Sequence, residues 1–318
     1  MLPLESPPAQ EPYGGRGSRW EDAKTNALEA EITQIETTVL ALERVAEDRF
    51  KGWSYDIGSR TIFGGHLLAQ ALMAGCSTVD SGLPHSLHAY FLRPGAHDAA
   101  LEYRVERIRN GRRFCTRQVS AEQRGKTVFC MWISFHDGEA GPEHAAQMPA
   151  VPGPEGLPSL LDLRRASADR FPEHIRHDLL RERPVEIRPV TPVDPLRPDQ
   201  HPPVQHVWLR SAGPLPGQDV LHRAILAYAS DFSLLATAFL PHGITYHQPG
   251  IHTASLDHTL WFHRPFRADQ WLLYSMDSPS AHGGRALARG TIFTRDGSLV
   301  ASTAQEGLIR VNMREGGP

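Results

Sequence analysis

The sequence has few cysteines, no excess of positive charge and no long apolar run. Three cysteines among 318 residues cannot form a disulfide framework, which favours a reducing compartment, and we expect a cytoplasmic protein. Lysine and arginine number 33 against 36 aspartates and glutamates, and the net charge of −3 argues against a nucleic-acid partner. Because no run reaches about 18 apolar residues, the sequence predicts no membrane span.

Several catalytic motifs are also absent. The chain contains no G-x-S-x-G elbow and no H-E-x-x-H pair, and its cysteines lack C-x-x-C spacing. Neither a serine hydrolase nor a metal site is therefore expected, and no resident cofactor is predicted. Gly125-Lys126-Thr127 has the ending of a phosphate-binding loop, but Ser120 stands where that motif needs its first glycine.

The apolar periodicity predicts two similar series of elements. The first has a strand near 42–52, a buried helix at 61–78 and strands at 84–93, 100–109, 113–123 and 127–136. The second has a strand at 205–211, a long apolar helix at 219–240 and strands at 253–263, 270–277, 284–295 and 298–311. We therefore predict domains at 41–137 and 205–312. Residues 1–40 are predicted as a disordered lead with a short helix, and the proline-rich residues 138–204 as a linker containing one helix near 158–182.

The two series also align in sequence. An offset of 171 residues pairs identical residues at Phe91, Arg93, Pro94, Asp98, Leu101 and Tyr103. One residue inserted in the second copy changes the offset to 172, which pairs identical residues at Gly111, Arg113, Arg117, Gly125 and Val128. A duplicated unit of one buried helix against a bent antiparallel sheet predicts an α+β fold, in which two units side by side could share one sheet.

Five longer motifs of the chain resemble those of a known family. FGGHLLAQAL at 63–72, LPHSLHAYFLRPG at 83–95, HRAILAYASDF at 222–232, ASLDHTLWFHRPF at 254–266 and LVASTAQEGLIR at 299–310 resemble the type II acyl-CoA thioesterases. The resemblance covers roughly residues 40–312. It implies a double hotdog, with two repeats that each wrap an antiparallel sheet around a long helix. It also implies hydrolysis of fatty acyl-CoA, with CoA entering as part of the substrate, and we expect a homo-oligomer, a dimer or a tetramer.

The resemblance further implies which residues hold the attacking water. They are Asp231 in the Tyr-Ala-Ser-Asp motif, Ser255 before Leu-Asp-His, and Gln305 in Gln-Glu-Gly. The family usually has Gly-Gly-Gln at the first helix, whereas this chain has Gly64-Gly65-His66.

The residue types themselves are consistent with this chemistry. A carboxylate within the predicted apolar helix 219–240 must be paired or functional, because burying it alone is costly. Gln305 and Ser255 align with Ile133 and Pro84 of the first copy, so the polar cluster occurs once and predicts one active site per chain. The alternatives are a structural hydrogen-bonded role for Asp231 and a solvent-facing position for Gln305.

Further residues are candidates for binding the substrate. The backbone N–H groups of Gly64 and Gly65 could stabilise an oxyanion, although tight helix packing explains the glycines equally well. His66 and His88 could act as acid or base groups or be structural. Arg93 and Arg113 are candidates for CoA phosphates, since residues 102–117 hold six arginines against two glutamates. The alternative for each arginine is a solvated strand face.

Two other functions stay open at this stage. One is a non-catalytic acyl-CoA-binding module, and the other is an enoyl-CoA hydratase. A hydratase would need an Asp–His pair over the enoyl chain, which the pattern of Asp231, Ser255 and Gln305 does not supply.

Overall fold

The computed structural model describes residues 39–311, which contain thirteen strands joined in one antiparallel sheet. The strands are β1 (Leu42–Ala46), β2 (Arg49–Gly52), β3 (Leu83–Phe91), β4 (Leu101–Asn110), β5 (Phe114–Gln123), β6 (Lys126–His136), β7 (Val185–Pro189), β8 (Val204–Ser211), β9 (Ile251–Ser255), β10 (Asp257–Phe262), β11 (Leu272–His282), β12 (Arg285–Thr294) and β13 (Leu299–Val311). Their order is β1-β2-β4-β5-β6-β3-β10-β13-β12-β11-β8-β7, and β9 pairs with β13. The predicted lead lies outside the described residues except for residues 39 and 40.

The α-helices are α1 (Gly64–Cys76), α2 (Leu160–Ala166), α3 (Glu173–Leu179) and α4 (Asp219–Ser230). Short 3-10 helices occur at Pro154–Gly156, Ala168–Arg170 and Leu235–His242. α1 and α4 pack against each other inside the curved sheet, and one apolar core runs through both halves. This arrangement confirms the predicted double hotdog.

The two halves share the sheet through β3 and β10. His88 lies opposite Thr259, and Leu87 lies opposite Leu260, in an antiparallel pairing. Along β3, Leu87 and Ala89 face the core while His88 and Tyr90 face outwards. The shared sheet that the repeat predicted is therefore continuous across this junction.

The predicted helix 219–240 is interrupted in the structure. α4 ends at Ser230, and Asp231 follows as its C-terminal cap. Ser233 has a φ of +66°, a conformation that cannot continue a right-handed helix. By length and composition, Asp219–His242 would be sufficient to cross a membrane, but 78% of its most apolar stretch is buried inside the fold. Such burial is typical of a core helix, and the mid-helix position predicted for Asp231 is wrong.

The inserted residue of the second copy also lies elsewhere than predicted. Val119 of β5 lies opposite Val105 and Met131, whereas Gly290 of β12 lies opposite Met276 and Thr303. The offset is therefore still 171 in β12 and becomes 172 only in β13, so the extra residue falls in the hairpin between them. Because a one-residue slip reverses the face of every side chain, the predicted equivalence of Arg117 and Arg289 is wrong. Arg117 is buried and corresponds to Ala288.

The proline-rich residues 138–204 contain more structure than a linker. They form α2 and α3 where one helix was predicted, and β7 adds an edge strand that pairs with β8. Proline is compatible with such an edge, where a missing N–H leaves no central ladder bond unmade. The predicted domain boundaries at 137 and 205 stay predictions.

Candidate active site

The end of α4 places one carboxylate in the core. The side chain of Asp231 is 5% exposed. Its Oδ1 accepts a hydrogen bond of 2.6 Å from Gln305 Nε2, and its Oδ2 accepts one of 2.9 Å from the backbone N–H of Gly65. The first turn of α1, whose N–H groups and dipole favour negative charge, therefore faces this carboxylate across the boundary between the halves.

Two strands of the second half complete the cluster. Gln305 is fully buried on β13, and its Nε2 also donates to Ser255 Oγ at 3.0 Å. The pairing of Gly307 with Ser255 brings the end of β9 beside this part of β13. Because an ionised carboxylate only accepts hydrogen bonds, the nitrogen of the amide must face Asp231. Among the described residues, Gln305 Oε1 has no hydrogen-bond partner.

Burial dominates the electrostatics of Asp231. It raises the pKa of the carboxyl above its ordinary value, and the hydrogen bonds from Gln305 and Gly65 oppose that shift. A carboxylate with a raised pKa is a stronger base than an exposed one, which suits proton transfer near neutral pH.

The two glycines at the start of α1 permit the close approach of α1 and α4. A Cβ on Gly64 would lie 2.6 Å from Asp231 Oδ2, and a Cβ on Gly65 would lie 2.3 Å from the Tyr228 carbonyl oxygen. The tight packing considered for these glycines is therefore present. The N–H of Gly65 donates to Asp231, so it is not available to an oxyanion in this arrangement.

His258, for which the motifs predict no role, also lies in the site. It is fully buried, and its Nε2 donates to Ser230 Oγ at 2.9 Å, since the Ser230 hydroxyl donates to Ala227 O. Its Nδ1 lies 4.0 Å from Asp231 Oδ1 and has no hydrogen-bond partner in residues 39–311. Burial lowers the pKa of His258 to about 3, so the ring is neutral and this nitrogen is an acceptor. The feature of the sequence that could have indicated His258 is its place in the motif Ser-Leu-Asp-His-Thr-Leu, which also contains Ser255.

His66 lies beside the glycines but contacts another part of the fold. Its ring is fully buried, and Nε2 donates to the Trp53 carbonyl at 2.9 Å. Burial lowers its pKa to about 4, so the histidine is neutral at physiological pH. Its hydrogen bond to the Trp53 carbonyl is a structural contact.

The remaining candidates for substrate binding are not brought to Asp231. His88 lies on the outer face of the sheet junction, edge-on to Trp261 at 5.5 Å between ring centroids. Arg93 donates to the Thr127 carbonyl at 2.6 Å, and Arg113 forms an exposed ion pair with Glu139 in the β4–β5 hairpin region.

The arginine-rich segment is likewise divided among separate contacts. Arg107 pairs with Asp48, and Arg104 lies near Glu106. Arg117 is buried and donates to the Thr78 hydroxyl and carbonyl. Arg104, Arg107 and Arg117 are thus held by different partners.

Aromatic rings surround the start of α1 and the end of α4. Phe63 stacks on Phe232 at 4.4 Å and meets Tyr228 edge-on at 5.4 Å. Phe91 lies next to Gly64. The carboxylate, hydroxyl and amide can thus hold a water in apolar surroundings. Within residues 39–311, no group of three or more histidine, cysteine or acidic side chains is arranged to hold a metal ion.

Comparison with known proteins identifies the family. Residues 50–136 match the family model described as the acyl-CoA thioesterase N-terminal domain, and residues 175–308 match the model described as acyl-CoA thioesterase. Human acyl-coenzyme A thioesterase 8 is 41% identical over 86% of this chain and 88% of its own length. The chain belongs to the type II acyl-CoA thioesterases, a family of thioester hydrolases.

Other relatives extend the agreement. Acyl-CoA thioesterase 2 of Haemophilus influenzae is 39% identical over 86% of this chain and 96% of its own length. The crystal structure of an acyl-CoA thioesterase II from Mycobacterium marinum has a TM-score of 0.71 and 40% identity, and the match covers 88% of this thioesterase and 99% of that chain. A hotdog protein from Alicyclobacillus acidocaldarius, only 19% identical, also has a TM-score of 0.71 and supports the fold alone.

Proposed function

We propose that this thioesterase hydrolyses fatty acyl-CoA to the free fatty acid and CoA by direct attack of a water held by Asp231, Ser255 and Gln305. The observation that carries the proposal is the hydrogen-bonded set around the Gln305 amide. Its nitrogen joins the Asp231 carboxylate and the Ser255 hydroxyl, at 2.6 Å and 3.0 Å. Its buried oxygen has no partner among the described residues and is an acceptor that a water proton would satisfy.

The proposed reaction needs no resident cofactor. Asp231 takes a proton from the water as the water oxygen attacks the thioester carbonyl carbon. The C–S bond then breaks, and the proton on Asp231 passes to the departing CoA thiolate. Asp231 forms no covalent bond with the acyl group, and Ser255 and Gln305 orient the water.

The surroundings of Asp231 favour this role. Burial raises the pKa of Asp231, which strengthens it as a base. The neutral His258 ring presents an unprotonated nitrogen 4.0 Å from Asp231 Oδ1, so a water that gives one proton to Asp231 can direct its other proton either to this nitrogen or to the Gln305 oxygen. His258 is thus a positioning residue for the water.

Thiol release from acyl-CoA tests the proposal. Asp231→Asn keeps the size of the side chain but removes the base, and we expect kcat to fall roughly 10²–10⁴-fold, the usual contribution of general base catalysis. Asp257→Asn is the matched control, because Asp257 accepts a hydrogen bond of 2.6 Å from the Glu306 N–H and asparagine can still accept it. Full activity in Asp231→Asn would overturn the assignment.

Thiol release, together with a binding measurement and the ultraviolet absorbance of an enoyl-CoA, separates the other two functions. An acyl-CoA-binding module would bind acyl-CoA without releasing thiol from it. A hydratase would consume the conjugated double bond of an enoyl-CoA while the thioester stays intact. Assembly as a homo-oligomer and a cytoplasmic location stay predictions, which sedimentation and localisation experiments would test.

A further inference from the structure

Two arginines near the active site lack an acidic partner. Arg164 lies in α2, and Arg183 lies just before β7. Both are half-buried, and within residues 39–311 neither forms an ion pair. Their sequence neighbours behave differently, since Arg165 pairs with Glu182 and Arg181 pairs with Asp56. Arg164 and Arg183 differ from these two neighbours in that each has a buried nitrogen atom and, among the described residues, no acidic partner.

Three donors in this region have no acceptor. The Nε atoms of Arg164 and Arg183 and the hydroxyl of Tyr228 are buried without a hydrogen-bond partner in the described part of the chain. Tyr228 is fully buried on α4. A buried donor that lacks an acceptor is unfavourable, so three of them together indicate an acceptor supplied by a ligand.

The donors adjoin the aromatic group of the active site. The Arg183 guanidinium lies over the Phe232 ring, 5.2 Å from its centroid. The same ring meets Tyr228 edge-on at 5.4 Å, and Phe232 directly follows Asp231 in the chain. Arg183 and Tyr228 therefore flank one ring beside the candidate catalytic carboxylate.

The basic groups of Arg164, Arg183 and His247 lie close enough to influence one another's protonation. Burial lowers the pKa of Arg164 to about 9, and the neighbouring Arg183 adds to that shift. His247 has a pKa lowered to about 4 by burial, with further contributions from both arginines. Burial likewise lowers the pKa of Arg183. An anion bound here would relieve the repulsion between the two guanidinium groups and satisfy their donors.

We propose that Arg164, Arg183 and Tyr228 form a subsite for an anionic oxygen group of the substrate or product. Guanidinium groups suit both sources of such a group, a phosphate of CoA and the carboxylate of the released acid. The subsite rests on the proposed thioesterase function for the identity of its ligand. Its binding can be measured without turnover, because CoA and the free acid are both products.

Titration calorimetry of the full chain with CoA and, separately, with octanoate tests the subsite. Arg183→Gln and Arg164→Gln remove one charged donor each, and we expect the Kd of one ligand to rise on the order of tenfold to a hundredfold. Arg165→Gln is the matched control, since it removes the same charge from the adjacent position, where Glu182 already pairs with it. Weaker CoA binding assigns the subsite to a phosphate, and weaker octanoate binding assigns it to the carboxylate. Unchanged affinity for both ligands overturns the proposal.

Tyr228→Phe separates ligand binding from a structural role. The hydroxyl has no partner in residues 39–311, so its removal should leave the melting temperature of the unliganded protein unchanged or raise it. Affinity for the same ligand should fall several-fold. A lower melting temperature with unchanged affinity would contradict the subsite. Binding that depends on the arginines in a protein without thiol-releasing activity would overturn the proposed function and leave the anion subsite standing.

Discussion

The two halves of the sheet have different side chains at equivalent positions of the repeat. In the second half, His258 of β10 and Gln305 of β13 are fully buried beside the end of α4. With the registers of the two halves superposed, these positions correspond to Leu87 of β3 and Ile133 of β6. Leu87 and Ile133 are equally buried but purely apolar, and they lie opposite each other.

At a neighbouring position the first half has the polar side chain and the second half has the apolar one. Arg117 lies opposite Ile133 and donates to Thr78 just beyond the end of α1, whereas the equivalent Ala288 lies opposite Gln305. A long side chain thus fills the space at the end of α1, while a small one leaves space for the polar cluster at the end of α4. At these equivalent positions the first half is packed with apolar side chains, whereas the second half holds buried polar groups, which are costly unless they are hydrogen-bonded.

The largest effect is expected when position 305 of the second half receives isoleucine, the residue at the equivalent position 133 of the first half. Gln305→Ile removes both the hydrogen bond to Asp231 and the contact with Ser255, and we expect kcat/KM for acyl-CoA to fall roughly 10²–10⁴-fold. Gln118→Ile on β5 makes the same change away from the cluster and should keep the activity. Near-normal hydrolysis by Gln305→Ile would show that the cluster is structural.

The reverse exchange should destabilise the first half without creating a site. Ile133→Gln places an amide in a tightly packed space, because a Cβ on Gly75 would lie 2.5 Å from Ile133 Cδ1, and the neighbouring Arg117 already donates to Thr78 and to a backbone carbonyl. The free energy of unfolding should fall by about 3 kcal/mol, measured by urea denaturation. A variant as stable as the wild type would show that position 133 accepts a polar side chain as readily as position 305 does.

The raised pKa of Asp231 predicts how activity and stability depend on pH. Because burial raises its pKa, the base is lost as pH falls through a value above that of an ordinary aspartate, and kcat/KM should fall about tenfold per unit below it. The folded protein should become more stable as pH falls, because the ionised form of Asp231 is unfavourable in the core and protonation removes the charge. We therefore expect Asp231→Asn to melt higher than the wild type at neutral pH and to lose that advantage in acid. An activity profile that stays flat down to the ordinary aspartate pKa would contradict the role of Asp231.

The smallest effect is expected where the two halves agree. Arg93 donates to Thr127 O, and its repeat equivalent Arg264 donates to Leu299 O at 3.0 Å. Arg93→Met and Arg264→Met should each lower the free energy of unfolding by about 1 kcal/mol and leave KM for acyl-CoA unchanged. A rise in KM confined to Arg93→Met would restore the substrate-binding role predicted for Arg93.

Much of the fold follows from local patterns in the sequence. The alternation of apolar residues predicted most strands to within a few residues, and the buried helix predicted at 61–78 is α1 at 64–76. The interruption of α4 could not be predicted in this way, since Leu234 and Leu235 continue the apolar character past Asp231. The left-handed conformation of Ser233, which ends the helix, carries no mark in residue type.

The sequence by itself determined the duplication and the apolar faces, because these depend on residue type and spacing, and the family resemblance of its motifs implied the three polar residues that cluster. The tertiary structure decided which residues meet. It joined Gly65 to Asp231 across 166 positions, separated Arg93, Arg113 and His88 from the site, and added His258. It also brought Arg183 from the predicted linker over the ring of Phe232, with Arg164 near Arg183. The physical reason is that hydrogen bonds and desolvation act over a few ångströms in space, whereas sequence patterns record only neighbours along the chain.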